Sequence, residues 1–409
     1  MRTNLIKITA LSLIASSAIY AGGYKIPETS LNGVALGAAN VARSHGADAA
    51  YYNPANMAFM SDENRIEADL TYIGLDGTKY TRYEGAVGAS TEYDIRSESE
   101  AFLIPSINYV SSKLGNARVG LSIVVPGGLT KRWTDTPAVD KAEEFTLKVI
   151  EINPTAAFEV SKEVAIAVGF RIIHSEGVVK SSSSASRDMT GDSLDFGYNL
   201  ALSYKPTSSL DFGLTYRSRV NLSQEGNAKL RIGDTIVYDG GASVSVPLPA
   251  AVNVAAAYTF GTKTTVEFVY EKTYWSAYNT LDFDYASPIT PILVSSFDSP
   301  IAKNWKDATA YRLGVTQELD ALTLMAGLVM DETPVPDSSL SFELPDSDSV
   351  SVSFGGRYEI NDKIDVGLSA LYSMREKRTI KATDNDNNLE GTFSNSNVLI
   401  VSAGIGYKF

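Results

Sequence analysis

Cysteine is absent from this chain of 409 residues, and histidine occurs only twice, as His45 and His174. A thiolate zinc site and a cysteine nucleophile are therefore excluded. The lack of thiols also suits an oxidising compartment. One histidine would be enough for a serine–histidine–aspartate centre, so that this class of enzyme is not excluded. However, neither histidine is accompanied by a sequence pattern of nucleophile and base. We predict a protein that is not an enzyme and that needs neither a metal ion nor a cofactor.

Positive charge and long apolar runs are also scarce. The formal net charge is −13, which argues against nucleic acid as a partner, because phosphate binding depends on Lys and Arg. Mean hydropathy is −0.05, and after residue 21 no stretch reaches the roughly 20 apolar residues that a membrane helix needs. A bundle of membrane helices is therefore excluded.

The first 21 residues have the character of an export signal. Arg2 and Lys7 precede an apolar run of 12 residues, 8–19, and Ala21 follows it as a small residue before a cut. The run is too short to span a bilayer as a helix. We predict a cleavable signal peptide over residues 1–21 and export from the cytoplasm; the alternative is a buried N-terminal helix.

The dominant pattern after residue 60 is alternation. Residues 193–204 read SLDFGYNLALSY, in which every second residue is bulky and apolar and those between are small or polar. A period of two with unlike faces predicts a β-strand. Fourteen such segments begin near residues 65, 100, 117, 145, 164, 193, 210, 243, 264, 307, 321, 348, 363 and 397.

The connections between these segments alternate in length. Short turns near residues 113–116 and 161–163 contrast with long links such as 76–99 and 286–304, as is typical of outer-membrane barrels. A β-sandwich or a propeller also alternates, but its strands average about five or six residues, whereas several here reach bilayer-spanning length. We predict an all-β fold, a 14-stranded antiparallel transmembrane β-barrel of the bacterial outer membrane, over residues 61–409.

An irregular segment precedes the first strand. Residues 44–57 read SHGADAAYYNPANM, and their small side chains would let them pack without regular structure. The Asn-Pro pair at positions 53 and 54 predicts a rigid turn, and Tyr51 and Tyr52 can press against a wall. We interpret residues 22–60 as a hatch, or plug, inside the lumen; the alternative is a flexible leader.

Several cations fall on the small face of the strands, which would line the lumen. They are Arg171, Arg217, Arg312, Arg357 and Arg375, with Lys306 near the outer end of its strand. A positive lumen would favour an anionic ligand group, so we take Arg312, Lys306, Arg171 and Arg217 as candidate ligand-binding residues. The alternative is that the arginines pair with acids across the wall and stiffen it.

The third strand is interrupted by Pro126, Gly127 and Gly128. Proline cannot donate to a ladder, and paired glycines mark bends. In a barrel wall such an interruption would open a gap unless something covers it. Two interpretations stay open on the residues alone: the strand ends at the outer rim, or the wall opens sideways.

Three motifs carry a resemblance to a known family. Asn53, Pro54 and Ala55 form an NPA motif; a later strand carries Lys306 and, after it, YRLG at residues 311–314; residues 330–336 read MDETPVP and are followed by LPD at 344–346. Together with the fourteen strands, the chain resembles the outer-membrane long-chain fatty acid transporter family of the FadL and TodX type over essentially its whole mature length.

The resemblance implies a monomeric barrel plugged by an N-terminal hatch. It implies passive uptake of long-chain fatty acids or related hydrophobic compounds, with lateral release through an opening at Pro126, Gly127 and Gly128. Lys306 and Arg312 are the best matches for cations that meet a carboxylate. Uptake of aromatic hydrocarbons is the first alternative, and a general porin or a surface receptor are others.

The same resemblance implies the partners. They are a long-chain fatty acid or another hydrophobic small molecule, outer-membrane lipid or lipopolysaccharide, and the barrel-assembly machinery. The strand that ends on Phe409 is similar to the signal which that machinery reads.

Overall fold

The computed structural model describes residues 22–44, 46–83 and 92–409, so that the predicted signal peptide and His45 lie outside the described residues. Its helices are short: α1 (Leu31–Ala35), α2 (Ala49–Tyr52), α3 (Val139–Ala142) and α4 (Pro291–Phe297), with 3-10 turns at Pro54–Phe59, Trp275–Ala277, Asp337–Ser339 and Ala382–Asp384. Within these described ranges, none of the helices has the length and apolar character to cross a membrane.

The strands make up most of the molecule. They are β1 (Arg65–Leu75), β2 (Lys79–Arg82), β3 (Tyr93–Arg96), β4 (Glu100–Val110), β5 (Ala117–Arg132), β6 (Glu144–Glu159), β7 (Val164–Ser181), β8 (Ala185–Tyr204), β9 (Leu210–Arg217), β10 (Val220–Ile232), β11 (Thr235–Leu248), β12 (Ala251–Thr259), β13 (Thr264–Thr273), β14 (Thr280–Leu281), β15 (Phe283–Tyr285), β16 (Ile301–Ala302), β17 (Ala308–Leu319), β18 (Leu322–Asp331), β19 (Ser349–Glu359), β20 (Ile364–Arg375), β21 (Arg378–Ile380), β22 (Gly391–Ser394) and β23 (Val398–Lys408).

The wall is a closed antiparallel barrel of fourteen strands, as the alternation predicts. Each wall strand pairs with its neighbours in the chain, and β1 pairs with β23 from Arg65↔Lys408 to Leu75↔Val398, which closes the ring. The seventh wall strand consists of β9 and β10, which both pair with β8. The eighth consists of β11 and β12, which pair with β10 and β9 respectively.

The two faces of the wall differ in the way that a bilayer requires. On β8 the outward side chains from Leu194 through Phe196 to Tyr204 are exposed and apolar, whereas the inward Asn199 and Ser203 are buried. The strand begins at Ala185, eight residues before the alternation becomes apolar. This outer part therefore projects beyond the apolar band on its own side of the barrel.

The N-terminal segment, residues 22–60, is enclosed by the wall. Helix α1 contacts β18, β19, β20 and β23, whereas the turn Pro54–Phe59 contacts β5, β6, β7 and β8 on the other side of the ring. The backbone N–H of Val41 donates to Glu267 of β13 at 2.6 Å. Ser353 of β19 donates to the carbonyl of Ala35 at 2.8 Å.

Wall glycines make room for this segment. A Cβ on Gly213 would lie 2.6 Å from the carbonyl oxygen of Val41, and a Cβ on Gly327 would lie 2.4 Å from the carbonyl carbon of Leu36. Both contacts are with backbone, which cannot swing aside as a long side chain would. Any larger residue at these two positions would push the segment off the wall.

The long loops cover the outer end of the barrel. The strands β2, β3, β21 and β22 form a small separate sheet, and β14 pairs with β16. Tyr80 and Phe393 of this sheet pack with Phe342, whose ring lies 5.4 Å from that of Trp133. The loops thus have an aromatic core of their own above the lumen.

Candidate functional site

An apolar pocket lies between the wall, the outer loops and the start of the N-terminal segment. It encloses about 610 Å³ of unoccupied space, its opening included. Strands β5, β6, β7, β10 and β11 supply its wall side. The lining residues are Tyr24, Leu129, Phe145, Thr146, Leu147, Gly177, Val179, Gln224, Val244, Val246, Tyr278, Leu281, Phe283, Lys303, Trp305, Val335, Ser339, Ser341, Glu343 and Leu344.

The polar groups of this pocket centre on Lys303. Its side chain is buried and forms an ion pair with Glu343, and its carbonyl accepts a hydrogen bond from the hydroxyl of Ser339. Burial would raise the pKa of Glu343, but the charge of Lys303 and its hydrogen bond outweigh burial and hold this pKa below its usual range. The pair is therefore ionised, with zero net charge, in an otherwise apolar setting.

Aromatic rings form the end of the pocket at the N-terminal segment. The Tyr24 ring lies edge-on to Trp275 at 4.7 Å and 5.8 Å from Trp305, and Trp305 lies 4.8 Å from Tyr278. The Tyr24 hydroxyl donates to the carbonyl of Pro247 at 2.5 Å. Burial raises the pKa of Tyr24 well above its usual value. The segment thus supplies one wall of the pocket, so that its movement would change the shape of the pocket.

The third wall strand is kinked where the proline predicts it. β5 continues through Pro126 to Arg132, but its register on β6 shifts between Val124 and Gly127. On its other side β5 pairs with β4 only from Ile107↔Ile123 to Val110↔Gly120. The interpretation that the strand ends at Pro126 is therefore wrong.

The kink leaves the outer part of β4 without a ladder to β5. β4 pairs with β1 from end to end, but towards β5 the wall closes again only at the outer end. There the N–H of Glu98 donates to the carbonyl of Arg132 at 2.9 Å, and Arg132 forms an ion pair with Glu100 of β4 at 2.7 Å. The N-terminal segment covers this gap from inside. Ile26 donates to the carbonyl of Pro126 at 2.9 Å, and Gly128 donates to the carbonyl of Tyr24 at 2.7 Å.

The cover over the gap is apolar. Ile26 packs in one buried cluster with Val125 of β5, with Phe102 and Ile104 of β4, and with Val34 of α1. Short backbone pairing plus a small apolar cluster is a modest seal compared with a continuous barrel ladder. The contacts that cover the gap are therefore separate from the ladder that holds the rest of the wall.

Three of the four candidate cations are engaged by acids of the protein. Arg171 donates to Glu151 through Nε and Nη2 at 3.0 and 2.9 Å, and Arg217 forms an ion pair with the same carboxylate. Arg312 lies between Glu28 of the N-terminal segment and Glu271 of β13, 3.3 Å from each. These contacts fit the alternative interpretation, in which the arginines pair with acids across the wall and stiffen it.

The fourth candidate, Lys306, is exposed at the outer end of β17, and its backbone N–H donates to the carbonyl of Pro334 at 2.8 Å. Neither Lys306 nor any of the three arginines lines the apolar pocket. The buried Lys303, only three residues before Lys306, is the cation that does. A direct role of Lys306 and the three arginines in ligand binding stays a prediction.

The predicted hatch residues hold the N-terminal segment together and to the wall. The Asn53 side chain donates to the carbonyl of Val41 at 2.8 Å and accepts from the N–H of Ala55 at 3.1 Å, and Pro54 opens the 3-10 turn that follows. The Tyr52 hydroxyl donates to the carbonyl of Pro27 at 2.8 Å. Tyr51 is the remaining predicted hatch residue, and the centre of its ring lies 4.4 Å from the guanidinium of Arg217.

The MDETPVP and LPD motifs hold the pocket and the chain start together. Asp346 accepts from the backbone N–H of Gly23 at 3.2 Å and pairs with Arg375 at 2.6 Å, while Val335 and Leu344 line the pocket. These two motifs could therefore have pointed to the pocket. Lys303 and Tyr24 were missed because neither belongs to an alternating strand.

Comparison with known proteins gives a family match over nearly the whole chain. The family described as outer membrane protein transport protein (OMPP1/FadL/TodX) matches residues 12–409. The long-chain fatty acid transport proteins of Escherichia coli K12 and Salmonella typhi are 22% and 23% identical, each alignment covering 90% of this chain and 91% of the relative.

Solved structures share the fold. A FadL homologue from Pseudomonas aeruginosa has a TM-score of 0.81 at 18% identity and covers 94% of this chain and 99% of its own. The CymD monoaromatic hydrocarbon channel has a TM-score of 0.69 at 16% identity, with 95% and 99% covered. At sequence identities of 18% and 16%, this structural similarity establishes a shared fold and no more.

Proposed function

The chain belongs to the OMPP1/FadL/TodX family of outer-membrane transport proteins, and from this premise we propose that it takes up long-chain fatty acids through the apolar pocket. Membership places the chain in the outer membrane as a transporter of hydrophobic compounds, and confirms that it is not an enzyme. The observation that carries the choice of ligand is a buried cation, Lys303, inside an apolar pocket.

A fatty acid suits both parts of this pocket. Its hydrocarbon chain gains about 0.8 kcal/mol for every CH₂ removed from water, which the apolar and aromatic lining provides. Its carboxylate would replace Glu343 at Lys303 or share that cation, since a charge-assisted hydrogen bond in an apolar setting is strong. The hydroxyl of Ser341 and the amide of Gln224 offer further donors in the same lining.

Substitution of the two charged residues tests the assignment. We expect Lys303→Gln to weaken oleate binding by about tenfold, which corresponds to about 1.4 kcal/mol, and Glu343→Gln to strengthen it by removing the competing carboxylate. Titration of the purified protein with fluorescent oleate would measure both. Lys306→Gln is the matched control, because it removes an exposed cation of the same loop region. Equal affinity in all four proteins would contradict a carboxylate site at Lys303.

Uptake of neutral aromatic compounds is the second candidate, and one observation favours it. Glu343 already neutralises Lys303, and the rings of Tyr24, Tyr278 and Trp305 meet in the pocket. A neutral aromatic ring could stack there without disturbing the ion pair. Toluene binding that survives Lys303→Gln, with no measurable oleate binding in the parent protein, would establish this candidate.

The route that we propose leads from the pocket sideways into the bilayer. The N-terminal segment acts as the hatch, and displacement of Ile26 from Pro126 uncovers the gap between β4 and β5. A long acyl chain would leave towards lipid far more readily than towards water. Residues 22–60 as hatch and residues 61–409 as barrel, with the signal peptide before them, form the domain organisation on which this route depends.

A further inference from the structure

A second recess lies on the outside of the wall, where the seventh and eighth wall strands are both broken. Ser218 and Arg219 separate β9 from β10, and Pro249 and Ala250 separate β11 from β12. The two breaks are neighbours, because β12 pairs with β9 and β11 pairs with β10. The recess holds about 1010 Å³ of unoccupied space, its wide opening included. Its lining consists of Tyr198, Tyr216, Ser218, Arg219, Ala250, Tyr274, Ser276 and Ala277.

This lining is rich in hydrogen-bond donors. Tyr198, Tyr216 and Tyr274 bring three phenolic hydroxyls. The rings of the first two lie 5.9 Å apart and their hydroxyls share one hydrogen bond, which leaves two hydroxyl donors for a ligand. Arg219 adds an exposed guanidinium with five N–H donors. Over the residues that the structure describes, no carboxylate forms an ion pair with Arg219, whereas the adjacent Arg217 pairs with Glu151.

Arg219 lies at the level of the apolar band. The N–H of Ser218 donates to the carbonyl of Tyr198, and the N–H of Tyr198 donates to the hydroxyl of Ser218, each at 2.9 Å. Tyr198 is flanked along β8 by the exposed Phe196 and Leu200. An arginine on the lipid face of a barrel costs about 2–4 kcal/mol at the bilayer midplane and about 0–1 near the interfaces. An anion supplied by the membrane would offset that cost.

The recess is closed towards the lumen. Behind it, Arg171 donates to the carbonyl of Ser218 at 2.6 Å and is itself held by Glu151, and the ring of Tyr51 lies beside Arg217. A blind recess on the lipid face does not serve as a second passage. It is instead a place where a molecule of the bilayer can rest.

We propose that this recess binds the phosphorylated headgroup of a lipid in the outer leaflet. Arg219 and the tyrosine hydroxyls would donate to the phosphate oxygens, and the acyl chains would lie on the exposed side chains of Leu200, Leu202 and Leu214. A phosphate accepts more hydrogen bonds than a carboxylate does, which matches this number of donors. A soluble phosphate ion would have to leave water for a surface bordered by hydrocarbon, so the ligand must bring its own acyl chains.

Native mass spectrometry of the purified full-length protein can test the site. The probes are lipid A with two phosphates, the same lipid without phosphate, oleate and inorganic phosphate. We expect the protein to retain one equivalent of phosphorylated lipid A, and Arg219→Gln to lower that affinity about tenfold. Tyr198→Phe and Tyr274→Phe should each lower it several-fold. Arg231→Gln, which removes an exposed arginine of β10 away from the recess, should leave it unchanged.

The remaining probes decide between ligands. Weak retention of phosphate-free lipid A, and no competition from oleate or inorganic phosphate, support the assignment. Equal retention of both forms of lipid A, displacement by oleate, or unchanged affinity in Arg219→Gln would overturn it. Because Arg219 is exposed on the lipid face, its replacement should not lower the thermal unfolding midpoint, so that lost binding reports the recess and not the fold.

Discussion

The wall is interrupted in two places, and the two interruptions are closed in opposite ways. At the kink of β5 the gap is covered from inside by an apolar part of the N-terminal segment around Ile26. At the recess beside Arg219 the inner side is sealed by Arg171, Glu151 and Arg217, and the open side faces lipid.

The difference leads us to propose that only the first interruption opens. The cover at β5 belongs to another part of the chain and is held by a few backbone hydrogen bonds and apolar contacts, whose loss would leave no charge unpaired. The seal behind the recess consists of buried charges on neighbouring wall strands, and parting them would leave those charges unpaired in an apolar setting. We therefore expect mobility at the first interruption and rigidity at the second.

The largest effect should come from fixing the cover at β5. Ile26→Cys with Val125→Cys places two thiols in one apolar cluster of a chain that has no other cysteine. After oxidation we expect uptake of a fluorescent fatty acid by cells to fall to the level without the protein, because the gap stays covered. Reduction should restore it. Transport that persists in the fully oxidised protein would show that the ligand leaves by another route.

Removal of the carboxylate behind the recess should have the next largest effect. Glu151→Gln leaves Arg171 and Arg217 buried without their shared anion, which should lower the free energy of unfolding by about 3–5 kcal/mol. Thermal unfolding in detergent would measure the loss. Glu176→Gln is the control, since its partner Lys148 lies 3.6 Å away in an exposed pair, and the expected loss there is about 0–1 kcal/mol. Similar losses in both variants would argue against a rigid seal.

A smaller effect should follow from crowding the cover with one methyl group. A Cβ on Gly127 would lie 2.9 Å from the carbonyl oxygen of Tyr24, so Gly127→Ala should push the segment off the kink at a cost of about 1–3 kcal/mol. Faster hydrogen exchange at Ile26 would report the release. Gly261→Ala, at a position with nothing within 4 Å, should change neither exchange nor stability. Unchanged exchange at Ile26 would mean that the cover does not depend on this contact.

The smallest effect should be a pH dependence of the stability of the N-terminal segment. Burial, and then the charge of Glu67, raises the pKa of Asp48 from 3.8 to about 7. For an acid whose pKa is raised in the folded state, stability falls as the pH rises from about 4 to about 7. Hydrogen exchange around α1 should therefore be about tenfold faster at pH 6 than at pH 5 after correction for intrinsic rates, because each pH unit between the two pKa values changes the stability by the free energy of one pKa unit.

Asp48→Asn is the variant that decides this point. Its amide oxygen can still accept from Ser30, Asn32 and Asn40, which now donate to Asp48 at 2.7, 3.1 and 3.1 Å. We expect the corrected exchange rates of this variant to be the same at both pH values. A pH dependence that survives the substitution would assign it to groups other than Asp48.

The fold could be predicted from sequence because a bilayer imposes unlike faces on every strand. That constraint ends at the edge of the apolar band, and for this reason the outer parts of β8 and β11 were missed. Residues 185–192 are polar or small apart from Met189, and in residues 235–242 Ile236, Val237 and Tyr238 follow one another without alternation. The alternation also did not predict the breaks in the seventh and eighth wall strands. Pro247 and Pro249 lie at the break of the eighth strand, as expected because proline is confined to ladder ends and irregularities.

The candidate site was less predictable, for a different reason. Alternation correctly identified Arg171, Arg217 and Arg312 as residues of the inner face, where all three are buried or nearly so. It could not show that Glu151, Glu28 and Glu271 meet them. Glu151 and Glu271 lie on other strands at a register that only the closed barrel defines, and Glu28 lies in the N-terminal segment, which has no alternation. Lys303 lies on an outer loop, where no period indicates which way a side chain points.

The pairing of β1 with β23 joins the two ends of the barrel sequence. The N-terminal segment that precedes β1 therefore lies inside a ring whose seam is formed by the C-terminal strand. Since α1 contacts β18, β19, β20 and β23, loss of β23 would remove both the seam of the wall and part of the surface that holds α1.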